Sequence, residues 1–313
     1  MKTMQAAAAA RAGVRRKNRV MEHWRVYLMM VPAIVYMLLF HYKPIYGVII
    51  AFKDYSFGPG IWGSEWVGLA NFARLFKSYW FPVIVKNTFT ISLLTLAVTF
   101  PLPILLALMV NEVENKHWKN CFQTVTYAPH FISTVVLCGI VLLFLDTNTG
   151  IVNYLIRLLG LPAVDFMQTP GCFKWIYVLS GVWQSTGWST IIYFAALSGI
   201  DRSIQEAAEI DGATRVQKII YINFPVLVPT IITLFILRCG SLLSVGYEKV
   251  FLLQTPGNLP SSEIISTYVY KLGMQQYDFS FSTAVGLLNS VVNSAILILT
   301  NGLSKKFTST SLW

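Results

Sequence analysis

E-A-A-E-I-D-G-A-T-R-V-Q-K-I-I-Y-I-N-F-P-V-L-V-P, residues 206–229, is the stretch on which the reading of this chain turns. It lies at the junction of two apolar stretches of membrane-crossing length, about 175–199 and 226–246, and the loop 200–224 between them is long and patterned as two helices. Ile204, Ala207, Ala208 and Asp211 recur at i, i+3, i+4 and i+7. That spacing predicts a short helix with one narrow, small and mostly apolar face, with Gln205, Glu206 and Glu209 facing elsewhere. Asp201 is placed to cap this helix and Gly212 to end it. A second helix is expected from Thr214, with Gln217 three residues on completing a capping box, and it runs toward Pro225. Two helices around a glycine break make a rigid protrusion, and a rigid protrusion transmits force. Helices that rest on a bilayer are usually rich in Lys and Arg on the polar face, whereas this one is acidic there, so docking on a partner chain is the expected role.

Working outward, the 313 residues are 55% hydrophobic and 12% charged, with mean hydropathy +0.58. An ordinary soluble domain carries about a quarter charged residues, so this composition marks a membrane protein. The apolar residues gather into six stretches near the ~20 residues that a membrane helix needs, at about 26–48, 87–110, 122–145, 175–199, 226–246 and 281–302. The expected fold is all-α, a six-span polytopic permease domain over 26–313 preceded by a basic tail, 1–25. The alanine run of MKTMQAAAAA is followed by Arg11, Arg15, Arg16, Lys17 and Arg19, and this segment is expected to be a retained tail. Seven basic residues up to Arg25, together with Lys116, Lys119, Arg202, Arg215, Lys218, Lys305 and Lys306, place both termini and the 200–224 loop on the cytoplasmic side.

The net charge of +10 is accounted for by anionic lipid at the membrane surface, and no nucleic-acid role is expected. Cys121, Cys138, Cys172 and Cys239 show no paired spacing, so neither a disulfide nor a metal site is expected. The first outer loop, about 49–86, is rich in aromatic residues and glycine, which suits short interfacial helices. The other outer loops, about 146–174 and 247–280, carry turn formers that could cap an outward-facing cavity.

At the opening stretch the residues become recognisable. E-A-A-E-I-D-G-A at 206–213, followed by I-N-F-P-V-L-V-P-T at 222–230, resembles the EAA signature of permease subunits of binding-protein-dependent ABC importers. The resemblance extends through KPIYGVIIAFKDYSF at 43–57, APHFISTVV at 128–136, SGVWQSTGWSTIIYFAALSGID at 180–201 and GSLLSVGYEKVFLL at 240–253. Phe224 stands where relatives commonly have leucine. The chain is similar to the carbohydrate-uptake, maltose-type branch, and within it to subunits that serve large acidic or complex oligosaccharides such as alginate.

The resemblance implies that the first helix is the coupling helix seated in a cleft of an ATP-binding subunit, with Glu206, Ala207, Ala208, Glu209, Asp211 and Gly212 as its contact positions. It also implies a second permease chain, homologous but distinct, two ATP-binding subunits, a periplasmic or extracellular solute-binding protein, and a bacterial inner-membrane location. No GxxxxGK[ST] motif occurs in the sequence, so ATP and Mg²⁺ are expected on the partner ATPase; this chain holds no cofactor and no catalytic residue of its own.

Polar groups inside spans mark candidate solute paths. Arg238 is mid-span, and its helical stripe is expected to continue through Ser241, Val245 and Glu248. It either lines the path and attracts carboxylated sugars or pairs within the bundle, and the sequence leaves both readings open. Trp183, Gln184 and Trp188 offer ring faces and an amide suited to sugars, and Asn289 and Asn293 share a helix face. Helix packing is the competing account for these residues, and the expected one for Ser290 and Ser294. His130 is expected to be a satisfied structural group. A secondary transporter would need titratable residues for ion coupling at mid-bilayer, where Arg238 stands nearly alone, and a membrane enzyme would need clustered carboxylates or His/Cys ligands; both are absent from the pattern.

Overall fold

A computed structural model describes residues 23–307 and 311–312, so most of the basic tail expected at 1–25 lies outside the described residues. The chain divides into two compact units, up to Gly68 and from Leu69 onward. In the first, helix α1 (Trp24–Phe52) is followed by a two-stranded antiparallel hairpin, β1 (Lys53–Asp54) and β2 (Glu65–Trp66), with the short helix α2 (Gly60–Gly63) in its loop. The Lys53 ammonium holds this loop by donating to the carbonyls of Ile61 (2.7 Å) and Ser64 (3.2 Å), while Phe52 stacks on Trp66.

The second unit begins with α3 (Ala70–Lys77), a short amphipathic helix of the kind expected for the first outer loop. It continues with α4 (Trp80–Asn111), α5 (Lys116–Phe131), α6 (Thr134–Leu145), α7 (Ile151–Leu158) and α8 (Pro170–Leu197). Then come α9 (Arg202–Ile210), α10 (Arg215–Gly240), α11 (Tyr247–Leu253), α12 (Leu259–Ser262), α13 (Ile265–Tyr270) and α14 (Phe279–Phe307).

Among the described residues, α1, α4, α10 and α14 are long and apolar enough to cross a membrane, and α5 with α6 would make a fifth crossing. Helix α8 has the length, 28 residues, but its middle carries Ser180, Gln184, Ser185 and Thr186.

Two expectations are corrected. The span expected at 122–145 is two helices bent by 99°. Pro129 sits in a tight 3₁₀ turn, Ile132 is extended, and Ser133 restarts the chain as an N-cap whose hydroxyl accepts from the Val136 amide. The fifth span ends at Gly240 rather than 246, and residues 241–246 are irregular, so no continuous helical stripe joins Arg238 to Glu248. The second helix of the 200–224 loop runs to Pro225, as expected, and on past it. It passes through a π turn, Ile219–Asn223, where the Phe224 amide bonds back five residues to Ile219, and continues unbroken into the span. A wider turn here absorbs the missing N–H of Pro225 without breaking the helix.

Two apolar clusters bracket the middle of this unit. One gathers Ile91, Phe173, Val250, Leu253 and Ile264; the other gathers Ile104, Leu108, Tyr193, Leu197 and Leu227. Between them, along α4 and α8, the facing side chains turn polar.

Candidate functional site

The 201–217 segment is built from local signals. The Asp201 carboxylate accepts from the Ser203 amide (3.0 Å), and that bond holds its carboxyl below the usual range. The helix closes in a Schellman motif: Gly212 at φ +77° lets its own amide reach the Glu209 carbonyl (3.0 Å) and the Ala213 amide reach that of Ala208 (2.9 Å). Thr214 and Gln217 form the capping box of the second arm.

Two side chains read as lying off the small apolar face tie the arms together. Gln205 donates to Asn223 (2.7 Å), and Glu209 pairs with Lys218 (2.6 Å). The bond to Lys218 lowers the Glu209 carboxyl, and the same bond raises the Lys218 ammonium. Each shift favours the charged form: the contribution of Glu209 is lost only as pH falls through its depressed value, and that of Lys218 only in strong alkali, so the cross-arm bond persists across neutral pH. Glu206, Ala207, Asp211 and Gly212 are exposed, Ala208 is half-buried, and Ile210 is 87% exposed.

The segment leads to a cavity. About 270 Å³ of space opens between α4, α8 and the 238–249 segment, and two cations, Arg238 and Lys249, are in its lining. Among the described residues, no carboxylate lines it. Arg238 makes no ion pair among the described residues. The Lys249 ammonium donates to the Tyr177 carbonyl (2.9 Å) and lies 4.7 Å from the Tyr177 ring centroid. From α4, the hydroxyls of Ser92 and Thr95 are buried without a partner. A second cavity of about 350 Å³, also free of carboxylates among the described residues, shares Thr99, Arg238 and Ser241 with the first, so Arg238 stands where the two meet. Cations, unpartnered hydroxyls and an aromatic residue suit a polyhydroxylated anion.

Over residues 99–309 the chain matches the family described as binding-protein-dependent transport system inner membrane component. It belongs to that family. Among similar permeases is the polygalacturonan/rhamnogalacturonan transport system permease protein YteP of Bacillus subtilis, 41% identical with 98% of each chain covered. A crystal structure of a bacterial ABC transporter involved in the import of the acidic polysaccharide alginate contains a chain 40% identical, with TM-score 0.87, covering 94% of this chain and 99% of that one. A second structure, of a bacterial alginate ABC transporter in complex with alginate pentasaccharide-bound periplasmic protein, matches at TM-score 0.86 and 40% identity, with the same coverage. The arabinooligosaccharides transport system permease protein AraP of Bacillus subtilis is a more distant relative, 28% identical with 90% of this chain and 88% of that protein covered.

Of the path candidates read from the sequence, the structure brings Gln184 and Arg238 to the cavity wall, together with Ser241 and Val245 of the expected Arg238 stripe. Gln184 also donates to the Ile132 carbonyl (2.9 Å) and so holds the α5/α6 bend. Trp188 stacks on His130 at 4.5 Å, bracing the same bend and giving His130 the structural place expected of it. Trp183 is half-exposed and lines neither cavity. Glu248 is exposed in the first turn of α11, also outside both linings. Asn289 keeps a buried, unpartnered Oδ1 away from these cavities.

Asn293 is committed elsewhere: its Oδ1 accepts from the Leu243 amide and its Nδ2 donates to Ser244, both at 3.0 Å, pinning the irregular segment after α10. Asn293→Leu therefore strands a buried amide, and a loss of about 1–3 kcal/mol is expected. It should appear as a lowered thermal midpoint in detergent.

The sequence reading missed Lys249, because a span drawn to 246 puts it in an outer loop. It also missed the α4 hydroxyls, although Ser92, Thr95 and Thr99 at i, i+3 and i+7 form a readable stripe.

Proposed function

We propose that this chain is one permease subunit of an ATP-driven importer that moves acidic oligosaccharides by alternating access. The observation that carries the reading is the carboxylate-free cavity holding Arg238 and Lys249, reached by a helix that starts at the α9 lever. Six crossings, α1, α4, α5 with α6, α8, α10 and α14, put both termini and α9 in the cytoplasm, with 26–313 forming the permease domain.

Helix α9 is the coupling helix. It presents Glu206, Ala207, Ala208, Asp211 and Ile210 to an ATP-binding subunit that holds ATP and Mg²⁺. A second, distinct permease chain and a second ATP-binding subunit complete the membrane assembly, and a solute-binding protein delivers cargo from outside. Closure of the ATPase pair draws the coupling helices together and opens the cavity outward; hydrolysis returns it inward. Alginate and polygalacturonan, in the names of the similar proteins, are both uronic acid polymers, and the two cavity cations fit a carboxylated sugar better than a neutral one.

The test is assembly and uptake. Gly212 has open space around it, so Gly212→Val acts through backbone strain at φ +77°, of order 1–3 kcal/mol, and tilts the lever. Glu206→Lys reverses a contact charge. Each is expected to cut the ATP-binding subunit retained on purification and to abolish uptake in membrane vesicles. Normal uptake by both variants would sink the assignment of α9.

A further inference from the structure

We propose that Asn223 is a positioning residue that makes the inner end of α4 move with α9, so that both walls of the cavity respond to one displacement. The proposal rests on reading α9 as the ATPase-docking helix. Asn223 is fully buried, at 0% exposure, and is the last residue of the π turn. Turns of this kind recur at functional sites.

Its Oδ1 accepts from Gln205 of α9 (2.7 Å), and its Nδ2 donates to the Glu112 carboxylate (2.8 Å). Glu112 is the C-cap of the 101–111 helical segment that ends α4. A carboxylate only accepts, so Glu112 fixes which end of the amide faces it, and the other end is left to take a donor from α9. One amide thus joins α9, α10 and α4 in a relay with a single polarity.

Beside the apolar packing of Leu227 with Ile104 and Leu108, the other polar side-chain links across this corner among the described residues are Glu209 to Lys218 and Glu114 to Arg215, both with well-exposed carboxylates. Exposed pairs hold weakly and are screened by salt. Lys218 also attracts Glu112 electrostatically, without a direct bond to it. Among these polar links the buried amide is the firm one. Through α10 a displacement of α9 reaches Arg238; through Asn223 and Glu112 it reaches the helix that carries Ser92, Thr95 and Thr99.

The experiment uses the whole transporter, with partner permease, ATP-binding subunits and solute-binding protein, in proteoliposomes where hydrolysis and uptake are measured together. Asn223→Asp sets a carboxylate against Glu112, and like charges at hydrogen-bond range repel. Solute moved per ATP should fall about tenfold, within the usual range of coupling factors between linked sites, while subunit retention holds. Glu112→Gln keeps an acceptor and should stay near wild type. In the double variant, Glu112→Gln with Asn223→Asp, the introduced amide can donate to the introduced carboxylate while Gln205 donates to the other oxygen of that carboxylate. The ratio should then recover most of the way, a non-additive result that marks direct contact.

An unchanged ratio in Asn223→Asp, or a double variant no better than the single, overturns the proposal. So does loss of ATP-binding subunits from Asn223→Asp, which would make the residue a strut. Failure of the α9 assignment is read separately, from retention of ATP-binding subunits in Glu206→Lys.

Discussion

A Gly187→Val chain is expected to fail to accumulate as folded protein. Gly187 is buried in α8 where that helix crosses α5, and a Cβ there would overlap the carbonyl oxygen and carbon of Thr126. Those are backbone atoms, and the helix that bears them is held by the Trp188–His130 stack and by Gln184 on Ile132. The neighbour has nowhere to go. Close approach through a glycine is the ordinary way membrane helices gain packing energy, since burial from lipid drives association little. Overpacking of a well-filled contact costs about 1–3 kcal/mol, and more where backbone must shift, against a total stability of roughly 5–15 kcal/mol. Gly187→Ala should already lower the detergent melting point, and valine should remove most of the monodisperse protein. Gly139→Ala and Gly286→Ala, where a Cβ meets nothing within 4 Å, are the controls and should match wild type. A Gly187→Val protein that melts like wild type would mean that α5 and α8 do not cross as described.

Replacing both cavity cations, Arg238→Met with Lys249→Met, is expected to reduce uptake of a carboxylated oligosaccharide by a hundredfold or more. A hydrogen bond to a charged group is worth about 1.5–3 kcal/mol, and ~1.4 kcal/mol is a factor of ten. Each single variant should therefore lose at least about tenfold. Uptake of a neutral oligosaccharide of the same length should change much less. Arg238 has no ion pair among the described residues to lose, so its removal should leave the melting temperature in place. Equal loss for acidic and neutral sugars would return Arg238 to the bundle-holding role that the sequence left open.

The parts of this chain legible in the sequence are those set by neighbours a few residues apart. The Asp201 cap, the Gly212 stop and the Thr214 to Gln217 box each close within one turn, and the structure has all three. The bend at Ile132 was not legible, because the Gln184 side chain that holds it lies 52 positions away. Asn293 reads as a polar span residue, and only the fold brings the Leu243 amide to it across 50 positions. Hydropathy drew the fifth span six residues too long, because Leu242, Leu243 and Val245 are apolar whether or not they are helical. That error hid Lys249. The course of the helix toward Pro225 was legible, but the π turn before it, which lets the helix pass, was not.

The unbroken course of α10 has a thermodynamic consequence. Its 26 residues, at ~1.5 Å each, make a rod about 39 Å long with the coupling arm at one end and Arg238 near the other. If the nucleotide state of the motor sets where that guanidinium stands, the debt is mutual: an anion resting on Arg238 must favour one nucleotide state by the same factor that the nucleotide state favours the anion. Cargo would then be a participant in the timing of the cycle as well as its freight.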